Sequence, residues 1–242
     1  MKIENCYSPN FDENKRTFSS IKLIVIHYTG MQSERESIKK LCYSKSKVSC
    51  HYLINRNGKI YRLVEDARIA WHAGKSCWGR YKNLNKNSIG IELVNKGHQF
   101  GYTSYKKEQL QSLKKICKQL IKKYKIKKYN IIGHSDIAPL RKNDPGEKFP
   151  WKQLAKHKIG IWHNCNLKLL KKFRRKRIFK KQEIKKFVKH LNNIGYCFLS
   201  RNNHSYFVKT VKAFQRHYRK ELINGVPDEE SLIIAKNLSK NL

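Results

Sequence analysis

Apolar and polar positions along this chain recur with two different periods, and the switches between them predict its elements. The clearest helix covers 106–124. There Leu110, Leu113, Ile116, Cys117, Leu120, Ile121 and Tyr124 fall on one face at helical spacing, with lysines on the other. A second helix is predicted from Glu34 to Tyr43. IKLIVIHY (21–28) is β-branched and apolar and reads as a buried strand ending at His27, broken by Thr29-Gly30. SIGIELVN (88–95) reads as another strand, with Glu92 between apolar neighbours. YNIIGH (129–134) is a short strand that delivers His134 at its end, and 135–150 reads as a loop punctuated by three prolines. HYLINRNGKIYRLV (51–64) carries a hairpin signal, two apolar runs around Asn57-Gly58, a dipeptide suited to a type I′ turn. Strands alternating with helices predict an α/β domain built on a mixed central β-sheet flanked by helices.

The pattern changes after about residue 160. KLLKKFRRKRIFKK (168–181) is a basic run interleaved with Leu, Phe and Ile. Three amphipathic stretches follow, 182–192, 205–221 and 228–240, punctuated by Asn193, Asn224-Gly225 and Pro227. The expected organisation is an α/β domain up to about 160, a basic linker over 161–181 and a small C-terminal helical bundle over 182–242. With all candidate chemistry before residue 150, a fragment ending near 165 is expected to remain active on small substrates if it folds.

Composition narrows the class. At 242 residues with 39% hydrophobic positions, the chain is long enough for a full core and too apolar for disorder. No run approaches the ~20 apolar residues of a membrane-spanning helix. The first sixteen residues show no apolar export segment, so a cytoplasmic location is expected. The alternative is a periplasmic or envelope location, with the export signal outside this chain. Seven scattered cysteines without a C-x-x-C pair do not suggest a disulfide framework and fit a reducing compartment. Cys42, Cys50, His51 and Cys77 offer a minor alternative Cys/His metal site without a known ligand spacing. The net charge of +37 invites an anionic partner. Lysines are nevertheless spread over every segment, so the charge reads as compositional bias, and no zinc-finger, helix-turn-helix or RNA-binding pattern accompanies it.

The candidate chemistry lies at strand ends and in the loop after the last one. His27, His134 and Asp144 supply two imidazoles and a carboxylate, the three-ligand count of a catalytic zinc site with its fourth position open. Glu92, on an apolar strand, is placed to have a raised pKa and act as a base.

The blocks IVIHYTG (24–30), SCHYLINRNGKIYRLV (49–64), AWHAG (70–74), NSIGIELVN (87–95) and GHSDIAPLRKNDPGEKFPW (133–151) resemble the zinc-dependent N-acetylmuramoyl-L-alanine amidases of the AmpD and AmiD kind. The resemblance spans roughly 15–160 and continues more weakly over 211–238, which looks like the helical peptidoglycan-binding domain of the AmiD branch. It implies one zinc held by His27, His134 and Asp144, Glu92 as general base, and Lys142 assisting at the scissile carbonyl. Tyr28, Trp71, His72 and Ala73 are expected in the substrate groove, with Arg141 a contact for a peptide-stem carboxylate. The implied partners are peptidoglycan fragments or muropeptides, cleaved between N-acetylmuramic acid, or its anhydro form, and L-alanine. No specific nucleic acid is expected. The rival readings are a non-catalytic peptidoglycan-binding module and a basic nucleic-acid-binding protein. All three ligand positions, Glu92 and Lys142 are present, which argues against the first.

Overall fold

The computed structural model describes residues 2–198 and 204–242. Its centre is a six-stranded sheet of Ile3–Asn5 (β1), Leu23–Tyr28 (β2), Tyr52–Ile54 (β3), Ile60–Arg62 (β4), Ser88–Leu93 (β5) and Ile131–Gly133 (β6). The spatial order is β1-β4-β3-β5-β2-β6. Every neighbouring pair is parallel except β3–β4, the hairpin. The sheet is therefore mixed, as the alternation of strands and helices predicts.

The eight α-helices of the described residues are Glu34–Cys42 (α1), Lys107–Tyr124 (α2), His134–Ile137 (α3), Trp151–Ala155 (α4), Leu167–Phe173 (α5), Lys181–Ile194 (α6), His204–Tyr218 (α7) and Glu229–Lys240 (α8). Ser33 caps α1, its side chain accepting from the Glu36 N–H, and Asp228 caps α8 through the Ser231 N–H.

Side-chain alternation gives the two faces of the sheet different partners. Ile24 and Ile26 of β2, with Ile89, Ile91 and Leu93 of β5, share a core with Leu113, Ile116, Cys117 and Leu120 of α2. Leu23 and Val25 of β2, with Ile132 of β6, share a second core with Phe187 of α6, Val211 and Phe214 of α7, and Ile234 of α8. The C-terminal helices thus roof the central sheet rather than forming a core of their own.

Three sequence expectations are corrected here. The stretch 161–181 is not a free linker. It contains α5, buries Leu170 and Ile178 in the second core, and fixes Arg174 to Glu230 by paired bonds of 2.7 and 2.8 Å. The hairpin turn is not type I′, because Gly58 has positive φ and Asn57 does not. Instead the Gly58 N–H bonds Asn55 O and the Asn55 N–H bonds Lys59 O, a three-residue loop closed by a left-handed glycine. His134 opens α3 rather than closing β6, so the predicted loop begins with a helical turn.

Cysteine chemistry also departs from expectation. Cys77 and Cys197 form a disulfide that spans 120 positions. Cys77 is thereby unavailable for the alternative Cys/His site, and the His51 ring is committed to the Gly90 N–H at its Nδ1.

Candidate metal centre

Strand register sets the site. His27 of β2 is paired with Glu92 of β5, and Gly90 and Ser88 follow at two-residue steps beside Val25 and Leu23. Small and polar residues Ser88, Gly90 and Glu92 therefore share one face of β5, while Ile89, Ile91 and Leu93 face α2. Parallel β6 sits on the other side of β2 and carries the chain into α3, which brings His134 beside His27. The loop after α3 returns Asp144, whose carbonyl accepts from the Ser135 N–H at 2.8 Å.

The three proposed ligands meet. His27 Nδ1 lies 2.9 Å from His134 Nδ1, and each nitrogen lies 3.1 Å from Asp144 Oδ2. All three residues are buried. Tetrahedral zinc with bonds of about 2.0–2.1 Å sets neighbouring ligand atoms about 3.3 Å apart, close to this spacing.

The hydrogen-bond network assigns the proton on each ring. Ser88 Oγ donates to Leu84 O at 2.6 Å, so it accepts from His72 Nε2 at 3.3 Å. His72 Nδ1 is then an acceptor, and His27 Nε2–H donates to it at 3.1 Å. His134 Nε2–H donates to Ala73 O at 3.3 Å. Both Nδ1 atoms are left as bare lone pairs facing a carboxylate oxygen, an arrangement that repels itself unless a cation lies between. Burial, then the neighbouring His134, pushes His27 down to about 4, and burial lowers His72 well below the usual histidine range. Neutral imidazoles and an ionised carboxylate are the donor states zinc requires, so the residues fit the metal.

A cleft of about 410 Å³ opens over these atoms and is lined by Tyr28, Trp71, His72, Glu92, His134, Arg141, Lys142 and Asp144. Glu92 Oε2 is buried and has no hydrogen-bond partner. Burial, then Asp144, pushes its carboxyl up to about 8, against a smaller opposing pull from Lys142. A carboxyl with an uncommitted oxygen in a cleft has the form of a general base.

The groove residues divide. Tyr28 and Trp71 line the cleft, with Tyr28 Oη 2.9 Å from His98 Nδ1 and Trp71 Nε1 donating to Asp12 Oδ1 at 2.5 Å. Ala73 is fully buried and does not line the cleft; its carbonyl orients His134 and also accepts from Arg141 Nη2. Arg141 further bonds Lys75 O at 3.0 Å, so its guanidinium braces the AWHAG turn at the cleft wall. His72 reaches the cleft but is engaged at both nitrogens, and its place is behind His27 as the group that sets its tautomer.

Sequence reasoning missed the supports of this arrangement. A Cβ on Gly90 would lie 2.4 Å from the His72 ring, so only glycine leaves space for that ring. Asn85 Oδ1 accepts from the N–H groups of His72, Ala73 and Gly74 at 3.2, 2.7 and 3.3 Å, shaping the turn. The signal for Ser88 and Gly90 lies in the two-residue period that they share with Glu92.

Comparisons with known proteins agree with this geometry. The family described as N-acetylmuramoyl-L-alanine amidase matches residues 17–147. The chain is 36% identical over 236 residues to AmiD of Escherichia coli, covering 91% of this chain and 83% of that protein. It is 34% identical over 164 residues to the 1,6-anhydro-N-acetylmuramyl-L-alanine amidase AmpD of Haemophilus influenzae, covering 60% of this chain and 86% of that one. The solved complex of E. coli AmiD with anhydro-N-acetylmuramic acid-L-Ala-D-gamma-Glu-L-Lys is similar over 95% of this chain and 92% of its own, with a TM-score of 0.80 at 32% identity. On these matches the chain belongs to the N-acetylmuramoyl-L-alanine amidase family, as an enzyme of the AmpD and AmiD type.

Proposed function

We propose that this chain uses one zinc ion, held by His27, His134 and Asp144, to hydrolyse the amide between the lactyl group of N-acetylmuramic acid, or its anhydro form, and L-alanine in muropeptides. The observation that carries the metal is the convergence of two bare imidazole nitrogens and one carboxylate oxygen within 2.9–3.1 Å. Zinc bound there supplies a Lewis acid that acidifies water and polarises the carbonyl. Glu92 accepts the proton of the attacking water on its uncommitted oxygen and returns it to the departing alanine nitrogen. The Lys142 cation, on the same cleft wall, stabilises the negative oxygen that develops in the tetrahedral transition state. Tyr28 and Trp71 offer ring surface to the sugar and peptide, in a cleft whose basic side attracts the carboxylates of the stem.

The test is mass spectrometry of muropeptides digested by the purified protein, with zinc content measured in parallel. Release of the intact peptide stem with one zinc per chain is expected. Glu92→Gln is expected to keep zinc and lose about 10²–10⁴ in turnover. Wild-type turnover in that variant removes Glu92 as the base, and stoichiometric zinc in Asp144→Ala removes the ligand set.

We also propose the periplasm or envelope, rather than the cytoplasm, as the working location. The Cys77–Cys197 disulfide supports this, because such bonds persist in oxidising compartments. Fractionation of native cells by immunoblot, with the protein found among cytoplasmic markers, would rule this location out.

A further inference from the structure

Asp136 stands two residues after the ligand His134 and is buried. Its Oδ2 accepts from the Gly133 N–H at 2.8 Å, which fixes the entry into α3 at the point where His134 leaves β6. The carboxylate's remaining described partners come from the C-terminal helices. Tyr196 Oη donates to Oδ1 at 2.7 Å, and His217 Nδ1 lies 2.7 Å from Oδ2.

Both donors are themselves held. His217 is stacked between Trp151, at 3.9 Å between ring centres, and Tyr218, at 4.0 Å. Its Nε2 is buried without a partner, so the contact with Asp136 is the polar bond that this ring makes. Tyr196 lies on a turn fixed from both sides. Gly195 O accepts from the Gly79 N–H at 2.7 Å, and Cys197 is bonded to Cys77. A Cβ on Gly195 would meet the Trp78 ring at 2.3 Å.

A buried carboxylate fastened by two donors from another part of the chain is costly to assemble, and it costs more still if one donor is lost. None of these groups reaches the substrate cleft. What they control is where α3 begins, and the first residue of α3 is a metal ligand.

We propose that Tyr196 and His217 are positioning residues for the zinc site, acting through Asp136 on the placement of His134. The inference rests on the zinc reading above. It gives the C-terminal helices a part in the chemistry distinct from gripping peptidoglycan: they hold one ligand in register with the other two.

The test uses the full-length chain stripped of metal and titrated with Zn²⁺ against a chromogenic chelator, alongside thermal melting of the same samples. Tyr196→Phe removes one oxygen and keeps the ring. His217→Phe keeps the stacked ring and removes the donor. His217→Asn loses the ring but restores an N–H near the position of Nδ1. Outer-shell partners of metal ligands typically contribute 10–100-fold to affinity, and the lower end is expected at this remove. Both Phe variants should bind zinc about 10-fold more weakly, with kcat reduced and KM unchanged. His217→Asn should recover affinity despite the lowest melting temperature. Wild-type affinity in both Phe variants overturns the proposal, as does an order of affinities that simply follows melting temperature. If His217→Phe does not fold, Tyr196→Phe decides alone. Failure of the wild-type chain to bind zinc would instead sink the zinc reading itself.

Discussion

The two faces of the central sheet are made from the same strands and do different work. The α2 face is hydrocarbon against hydrocarbon, Ile24, Ile26, Ile89 and Ile91 on Leu113, Ile116 and Leu120. The opposite face begins the same way, with Leu23, Val25 and Ile132 under Phe187 and Phe214. Toward the strand ends it changes to His27, Gly90 and Glu92, and then to the Asp136 network. One face has chiefly hydrocarbon volume to fill. The other has, in addition, tautomers and bond lengths to keep where it turns polar at the strand ends.

The largest test of that contrast removes residues 166–242. The second core loses α5 to α8, which leaves Leu23, Val25 and Ile132 facing water and Asp136 without Tyr196 and His217. The fragment is expected to lose its cooperative melt and its zinc, as read by circular dichroism and metal analysis. A fragment that melts cooperatively, binds zinc as tightly as the full chain and cleaves small muropeptides would show that the metal site depends on the α2 face alone.

A sharper test uses neighbouring residues. Gly90→Ala adds one methyl beneath the His72 ring and should weaken zinc binding by about 100-fold through the lost partner of His27. Ile89→Ala removes far more volume from the α2 face and should cost about 2–5 kcal/mol of stability. Zinc affinity of the folded Ile89→Ala protein should stay within about twofold of wild type. Equal losses of zinc affinity in the two variants would erase the distinction between faces.

The smallest effect expected is on acid stability. His51 bonds the Gly90 N–H through Nδ1, and burial, then Arg16, pushes it down to about 3. Its folded pKa lies below the ordinary value of about 6.5, so the unfolded chain takes up the proton first. Its contribution to stability is complete above about pH 6.5 and falls as pH drops toward 3, by up to about 1.4 kcal/mol per unit. Urea melts of the metal-free protein between pH 7 and 5 should show this decline. His51→Gln should flatten it relative to wild type, and an unchanged slope would mean that His51 is not the group responsible.

Much of this molecule was legible in its sequence, and the boundary follows range. Strand β2 and helix α2 are set by local period and stand where they were expected, and His27, His134 and Asp144, singled out by long, specific motifs, lie together. The shared core was not legible, because amphipathic helices announce a buried face without naming what covers it. The same holds for Cys77 and Cys197, 120 positions apart with no local spacing to pair them. The place of His72 behind His27 was missed for a related reason. AWHAG marks a site, but only the bonds to His27 and Ser88 tell a ligand's support from a substrate contact.

The roofing of the sheet by the last helices also sets an order of events during synthesis. A nascent chain that has emerged as far as residue 165 already carries His27, Glu92, His134, Lys142 and Asp144. Its Leu23, Val25 and Ile132 still await Phe187 and Phe214, which emerge later. The unfinished polypeptide therefore displays metal-seeking side chains beside uncovered hydrocarbon, a state that invites scavenged ions and self-association. His27 and His134 acquire a fixed neighbourhood only once α6 and α7 have docked on that face of the sheet.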